Sequence, residues 1–533
     1  MKRPNFLFLI SDQQRAADLG CYGHPIVKTP NIDNLATRGT RFERFYCASP
    51  ICMPNRATLM TGRMPSLHGV RHNGIPLNTQ AVTFVEMLRE SGYRTAHIGK
   101  SHIQNMNDNE AMLKRTPVKN GHMPAPEHLA EATKLVAGEG PYDQESVTRW
   151  GAGSNTQVEL PYYGFDHVEF ANNHADVTTG HHLRWQLARN PEVESLRGPG
   201  NALPSDYTAP QAYRTAVPEE LYSSTYVAEQ TEAYLEDHVA NYSDQPFFIF
   251  SSFPDPHHPF TPPGKYWDMY DPIDVELPAS FPVDGRPDNP LAQWIYEKRG
   301  PDAESRKGPA VAALTEKEAR EALALTYGMI TMVDDMVGTI IDKLEALGLT
   351  EDTVVVFTSD HGDFQAAHGL IFKGPIHVDN VVRVPFIWAD PKCQSTVNST
   401  AALGSTLDLA QTILDHAGVE PYNGIQGHSL LEVAAGVQEK VRDAVLIEEG
   451  GQRSFLGFKA PVRVRTAITD RWRLTIYHNE DYAELFDLEN DPDEMTNLWN
   501  DPAYQETKLE MMEVLARLQL EHGDLSPLPD KLA

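Results

Sequence analysis

Cysteine is scarce in this chain. Four are spread over 533 residues, Cys21, Cys47, Cys52 and Cys393. That is too few for a disulfide framework, and none has the paired spacing of a zinc site. Cations are under-represented too: 45 Lys and Arg stand against 74 Asp and Glu, a formal charge of −29. Nucleic acid and anionic membrane surfaces both need clustered cations, so neither is an expected partner. Any anion bound here must be held by a local positive site against the global field. No run of about 18 apolar residues occurs, so no membrane-spanning helix is expected. Internal repeats and low-complexity segments are also missing. What remains, 41% hydrophobic and 22% charged residues, is the composition of a globular chain rather than a disordered one.

Met1-Lys2-Arg3 followed by the apolar residues 6–10 imitates the start of a secretion signal. The apolar run stops at Ser11-Asp12-Gln13, short of the roughly 7–15 residues such a core needs, and no small-residue cleavage site follows. A short buried strand fits better, and a cytoplasmic location is expected. Similar β-rich runs recur at 95–98, 247–253, 354–358 and 384–388. Their near-continuous apolarity suits strands covered on both faces. Helical patterns lie between them. Thr83 to Glu86 is a capping box opening a helix that Gly92 closes. Thr315 to Glu318 opens a longer one, with Leu323, Ile330, Val333, Val337, Ile340, Ile341 and Leu344 at helical spacing and Gly348 at its end. The alternation predicts an α/β fold with a large, mostly parallel mixed sheet between helices.

Two stretches, about 105–218 and 262–309, break the alternation with Pro, Gly, Asn and charge. They are expected to be insertions over the loop edge of the sheet. Beyond about 435, segments 444–448, 464–469, 472–477 and 483–488 read as short antiparallel strands. A helix over about 503–522 follows, with Leu509, Met512, Leu515 and Leu518 on one face. The expected division is a catalytic α/β unit over 1–435 and a smaller α+β unit over 436–533.

The chemistry-bearing residues cluster at predicted strand ends. Asp12 and Gln13 follow the first strand; Asp360 and His361 follow the strand at 354–358. Ligands of open α/β sheets sit beyond the carboxyl ends of strands. Two carboxylates, a carboxamide and an imidazole there fit one divalent cation, although Asp12 and Asp360 fit the role of turn caps equally well. Pro54 suits the first helical position, which puts Cys52 at or just before a helix N-terminus and Arg56 a turn further on. Such an end favours an anion or a thiolate. A lone cysteine in a loop is more often inert.

The run Cys52-Met53-Pro54-Asn55-Arg56, then Ala57-Thr58-Leu59-Met60-Thr61-Gly62-Arg63, resembles the signature of the type I, formylglycine-dependent sulfatases of the alkaline phosphatase superfamily. Further motifs fall in that family's order: Pro30-Asn31-Ile32-Asp33, Gly99-Lys100-Ser101-His102, Pro256-His257-His258-Pro259, Ser359-Asp360-His361-Gly362-Asp363, Lys373, Arg383-Val384-Pro385, Gly427-His428-Ser429-Leu430 and Glu484-Leu485-Phe486-Asp487. The resemblance spans the chain apart from the two insertions. It implies an alkaline phosphatase-like sheet and hydrolysis of small-molecule sulfate esters of the arylsulfatase type. Cys52 would be matured to formylglycine by a formylglycine-generating enzyme. Its geminal diol would attack sulfur, leave a covalent ester on residue 52, and regain the aldehyde on release.

By the same resemblance Asp12, Gln13, Asp360, His361 and residue 52 match the ligands of one divalent metal. Arg56 would orient the diol, and Lys100 and Lys373 would neutralise the transferring oxygens. His257, helped by Lys373, would protonate the leaving oxygen. His102 would take the proton that triggers ester release, and Asn73 would donate to a substrate oxygen. Two departures stand out. Gln13 and His361 occupy positions where sulfatases commonly carry Asp and Asn. An imidazole in place of an oxygen ligand shifts the expectation from Ca2+ toward Mn2+, and the set resembles the phosphonate monoester hydrolase branch. Side activity on phosphodiesters and phosphonate monoesters is therefore expected. The rival readings are a phosphonate monoester hydrolase or phosphodiesterase using the same residues, and a metal-binding protein in which Cys52 stays a thiol. A homo-oligomer is expected, as for many such enzymes.

Overall fold

Residues 5–11 do form a strand, buried along its whole length, and the rest of the molecule is arranged around it. The computed structural model describes residues 3–107, 109–112, 121, 123, 140–151, 154, 156–281, 289–297, 311–393, 395, 397–451, 461–478 and 480–524. Parts of both expected insertions lie outside these residues.

The main sheet has nine strands: β1 (Asn5–Ser11), β2 (Thr40–Tyr46), β3 (Arg94–Gly99), β4 (His167–Asn172), β5 (Thr179–Gly180), β6 (Phe247–Ser252), β7 (Thr353–Ser359), β8 (Phe386–Ala389) and β9 (Ser399–Ser405). Their order is β9-β2-β8-β7-β1-β6-β3-β4-β5. β1 runs parallel to β6 and β7, β3 to β6 and β4, and β9 to β2; β8 and β5 run antiparallel to their neighbours. The three central strands, β1, β6 and β7, have no exposed residue, which is why their sequences are apolar almost throughout.

Alternate side chains serve two cores, as the pleat requires. Phe6, Phe8, Phe248, Phe250, Val354 and Val356 face one helix layer: α2 (Cys52–Thr61), α3 (Phe84–Glu90) and α6 (Leu409–Ala417). Leu7, Leu9, Phe247, Ile249, Val355 and Phe357 face the other: α1 (Pro30–Thr37), α4 (Ser223–Asn241) and α5 (Glu316–Ala346). Thr315 and Glu318 close a full capping box on α5, whereas Thr83 caps α3 only from its own side chain, accepting from Glu86 N–H. By length and composition α5 is apolar enough to cross a membrane, but 78% of that window is buried, packed under the sheet against α1 and α4.

Two expectations are corrected and one strand is added. The stretch 105–218 does more than overlie the sheet, because it contributes the edge strands β4 and β5; β4 alternates buried and half-exposed residues, so it lacks the continuous apolar signal. Strand β2 carries two Arg and a Glu, and was hidden for the same reason. Helix α2 begins at Cys52 itself, with Ile51 as its N-cap and Pro54 in its third position.

Strands β10 (Ala444–Gly450), β11 (Arg463–Thr469), β12 (Trp472–Tyr477) and β13 (Ala483–Asp487) form a second, antiparallel sheet in that order. Helix α7 (Gln505–Glu521) covers it with Met511, Leu515 and Leu518, packed on Leu446, Ala467, Leu474 and Leu485. Leu509 and Met512 do not share that face: they are 68% and 43% exposed. Leu515 and Leu518 face the sheet as expected, and the third contact comes from Met511, four residues before Leu515, in place of Met512 and Leu509.

The two units are tied by a buried ion network. Arg473 pairs with Glu494 and, at 2.9 Å, with Glu484, while the other Glu494 oxygen accepts from Asp379 N–H at 2.7 Å, before the second sheet begins. Replacing Arg473 with Met strands two buried carboxylates. The expected loss is about 3–5 kcal/mol in chemical unfolding; a change under about 1 kcal/mol would show that the network contributes little.

Candidate active site

The candidate site residues gather where four parallel strands end. β1 and β7 are adjacent and in register, Ser11 opposite Ser359, so Asp12 and Asp360 emerge side by side. β3 and β6 are likewise in register, Gly99 opposite Ser252, which brings Lys100 beside the segment carrying Asp255, His257 and His258. Gly99 is required there. Its φ is +106°, and a Cβ would lie 1.9 Å from the Ser252 carbonyl oxygen, which instead accepts from Lys100 N–H at 2.9 Å.

Helix α2 aims its N-terminus at this edge. Asn55 fixes it: Nδ2 donates to the Asp360 carbonyl, and Oδ1 accepts from Ala48 N–H (3.1 Å) and Thr406 Oγ1 (2.7 Å). Cys52, on the first turn, then lies with its Sγ 3.0 Å from His361 Nε2, 3.2 Å from Lys373 Nζ and 3.9 Å from Asp12 Oδ1. Arg56, one turn on and 1% exposed, donates from Nε to Asp360 Oδ2 (2.8 Å) and from Nη1 to Lys100 O (2.8 Å) and Ser252 Oγ (2.9 Å). Its bonds therefore brace the carboxylates and strand ends around residue 52.

Asp12, Cys52, Asp360 and His361 each offer one ligand atom, all within 4.8 Å of one another and all buried. His361 Nδ1 lies 2.9 Å from the Gly362 carbonyl. A carbonyl can only accept, so Nδ1 carries the hydrogen and Nε2 presents a bare lone pair to the cluster. Burial pushes His361 down to about 3, so the imidazole is neutral, as a ligand must be. Burial opposes ionisation of Asp360, but His361, Arg56, Lys100 and Lys373 outweigh it and hold the carboxyl well below the usual range. The donor set fits one divalent cation of the Mn2+ or Ca2+ kind. Gln13, the remaining expected ligand, sits at the margin. Its N–H donates to Asp360 Oδ1 (3.1 Å), and its carboxamide oxygen accepts from Lys373 Nζ (2.7 Å), which engages one of two lone pairs.

The cation side of the site is equally defined. Lys100, fully buried, contacts Asp12 and lies 2.7 Å from His174 Nε2. Burial pulls its ammonium down to about 7, with Asp360 and Glu145 opposing. Lys373 Nζ lies 3.1 Å from His257 Nε2. An ammonium only donates, so Nε2 accepts and the His257 hydrogen sits on Nδ1, 2.5 Å from the His258 carbonyl. Burial keeps His257 and His102 far below the ordinary imidazole range, so both are neutral. Burial also pushes the Cys52 thiol up, with Lys373 opposing. Asn73 lines the cleft, but its Oδ1 accepts from Met53 N–H (3.1 Å); only its Nδ2 is left to donate to a bound molecule.

These groups open on a cleft of 660 Å³ lined further by Met53, Met106, Met112 and Val147, with Glu449 entering from β10. Of the expected site residues, Cys52, Asn73, His102, His257 and Lys373 line this cleft, and Asp12, Gln13, Arg56, Lys100, Asp360 and His361 join the cluster around Cys52 and Lys373. His174 went unforeseen. It stacks on His257 at 3.7 Å between ring centroids and follows the carboxyl end of β4, so recognising that strand would have flagged it. Nothing in the sequence singles out Glu145, which holds the loop after Lys100.

The sulfatase family model matches residues 4–419, and a model described as N-sulphoglucosamine sulphohydrolase, C-terminal, matches 367–521. An uncharacterised sulfatase of Escherichia coli K12, YidJ, is 28% identical, over 97% of this chain and 87% of its own. An arylsulfatase of Clostridium perfringens is 27% identical, over 95% of this chain and 92% of its own. The crystal structure of the phosphonate monoester hydrolase of Agrobacterium radiobacter superposes with a TM-score of 0.76 at 26% identity, covering 100% of this chain and 98% of that one.

The geometry separates the candidate ion ligands from Lys373, which lines the cleft. Asp360→Asn is expected to abolish stoichiometric divalent metal after dialysis, whereas Lys373→Met retains it, with metal per chain read by plasma mass spectrometry. Equal metal content in the two variants would contradict the assignment.

Proposed function

This chain belongs to the sulfatase family, and from that premise we propose that it hydrolyses sulfate monoesters of small alcohols, arylsulfatase fashion, through residue 52 matured to formylglycine. One observation carries the reading: the residue 52 side chain stands in a buried cluster between the candidate ligands Asp12 and His361 on one side and Lys373 on the other. A divalent cation held by Asp12, Asp360 and His361, with Gln13 at its margin, would supply the Lewis-acid charge that makes a hydroxyl on residue 52 nucleophilic at neutral pH.

The chain's own groups then do the following. Asp12 and Asp360, braced by Arg56, keep residue 52 in line with the substrate sulfur. One diol oxygen attacks sulfur while the S–O bond to the alcohol breaks. Lys100 and Lys373 flank the sulfate oxygens, where balanced charge in a dry site is worth most. The leaving oxygen takes its proton from Lys373 Nζ, and neutral His257, expected from the sequence to be the donor, instead orients that ammonium by accepting from it at Nε2. Release needs no attacking water. The second hydroxyl on residue 52 gives its proton to His102, the carbonyl reforms, the carbon–oxygen bond to the ester breaks, and sulfate departs. A thiol at residue 52 could not make that last step, which supports maturation by a formylglycine-generating enzyme.

A second reading, phosphonate monoester or phosphodiester hydrolysis, draws support from His361 in the ligand set and from the likeness to the Agrobacterium enzyme. These substrates share the single charge and near-tetrahedral geometry of a sulfate monoester, so side activity on them belongs to the proposal. Matched aryl sulfate, phosphodiester and phosphonate substrates with one leaving group rank the two.

Two outcomes test the proposal. Intact-mass analysis of the peptide holding residue 52 should show an aldehyde in protein made alongside a converting enzyme, and Cys52→Ala should fold, bind metal and lose essentially all turnover. A variant that keeps most of its rate would refute the covalent route. Lys100→Ala should lower sulfate turnover by about 10²–10³-fold and change metal affinity far less; equal losses would make Lys100 structural.

A further inference from the structure

Residues 140–151 bring in a group that the proposed steps do not use. Glu145 is fully buried. Its Oε2 accepts from His102 N–H at 2.7 Å. Its Oε1 accepts from Ile103 N–H at 3.1 Å, Gln104 N–H at 3.0 Å and the Tyr162 hydroxyl at 2.5 Å. Three successive amides converging on one point form the kind of concavity that usually binds an external anion. Here the anion belongs to the chain. Among the described residues no Lys or Arg lies within ion-pair distance of it; its charge reaches Lys100 only from further off, and its direct partners are the loop amides and Tyr162. Neighbouring bonds close the arrangement: Gln144 N–H donates to Gln104 Oε1 (3.0 Å), Gln104 Nε2 to Pro141 O (2.9 Å), and Leu77 N–H to Ile103 O (3.0 Å).

The loop held this way carries His102 in a left-handed conformation, φ +57°. A non-glycine residue persists there only when its surroundings hold it. Without the carboxylate, three buried N–H groups lose their acceptor and the chain has every reason to relax. His102 and residue 52 line the same cleft, and His102 Nδ1 is buried with no protein partner among the described residues.

We propose that Glu145 is a positioning residue for ester release, acting through His102. The inference rests on the proposed formylglycine route. In release, a proton passes from the free hydroxyl of residue 52 to His102, the oxygen's electron pair closes the carbonyl, and the bond from that carbon to the ester oxygen breaks, with its pair leaving on sulfate. The transfer step that precedes it does not use His102. A displaced His102 therefore slows the second step and spares the first; a shift of about 1 Å is enough to cost on the order of a hundredfold.

The test uses the full-length, aldehyde-bearing enzyme with 4-nitrophenyl sulfate. Glu145→Gln keeps the volume and one oxygen but turns an amide NH2 toward a backbone N–H. Its kcat should fall at least tenfold, with a first-turnover burst of nitrophenol near one per aldehyde. Rapid quenching and mass analysis should find residue 52 predominantly as its sulfate ester. In a His102→Ala background the same change should add less than twofold, since it acts through a side chain already removed. Glu145→Asp, which restores a carboxylate, should recover part of the rate, and it carries the same measurements if Glu145→Gln does not fold. Wild-type behaviour in both variants would overturn the role. So would a burst that shrinks in step with kcat, without ester accumulation, or a full multiplicative loss beside His102→Ala. A wild-type enzyme without aldehyde, together with an active Cys52→Ala, would instead remove the route on which the role depends.

Discussion

Two carboxylates are buried side by side at the ends of adjacent parallel strands, and the rest of the site follows from that. Asp12 and Asp360 are both fully buried, and like charges so placed repel unless cations lie among them. Arg56, Lys100 and Lys373 supply positive groups, one from α2 and two from loops at the strand ends, with the Lys100 ammonium pulled down to about 7 by burial. Each is bonded so that it cannot swing away. These positive groups offset the two carboxylates locally, inside a chain whose formal charge is −29. A bound divalent ion would complete the local positive site that an anion-binding acidic chain needs.

The fold delivers this by register. Parallel pairing sets Asp12 level with Asp360 and Lys100 level with the segment after β6, while Gly99 lets backbone come within bonding distance of Ser252. The second sheet completes the cleft from outside the catalytic unit. Glu449 on β10 borders the cavity, and His377 joins its carboxylate (3.2 Å) to Thr466 on β11 (2.9 Å). The Arg473 network holds that sheet in place, so a change there reaches the cleft wall without touching the reacting groups.

Much of this was legible in the chain itself. Central strands announced themselves because burial on both faces demands continuous apolar residues. Cys52, Asp12, Asp360, His361, Lys100, His102, His257 and Lys373 were legible because strand ends and an ordered set of motifs mark them. What stayed hidden had a physical reason. β2 and β4 are half-buried and carry charge, so periodicity did not separate them from loops, and His174 disappeared along with β4. Glu145 acts through backbone amides, which leave no trace in residue type. Half of the expected α7 face, Leu515 and Leu518, is buried, but Leu509 and Met512 extend it at three-residue spacing and drift off toward solvent, while Met511 takes the remaining contact.

The central claim is that residue 52 meets a divalent cation held by Asp12, Asp360 and His361. Anomalous diffraction from crystals grown with Mn2+, collected at the manganese edge, tests it most directly. The account predicts one strong peak within coordination distance of Asp12, Asp360, His361 and the residue 52 side chain. A fully active crystal with no peak there, or with its peak elsewhere, would contradict it.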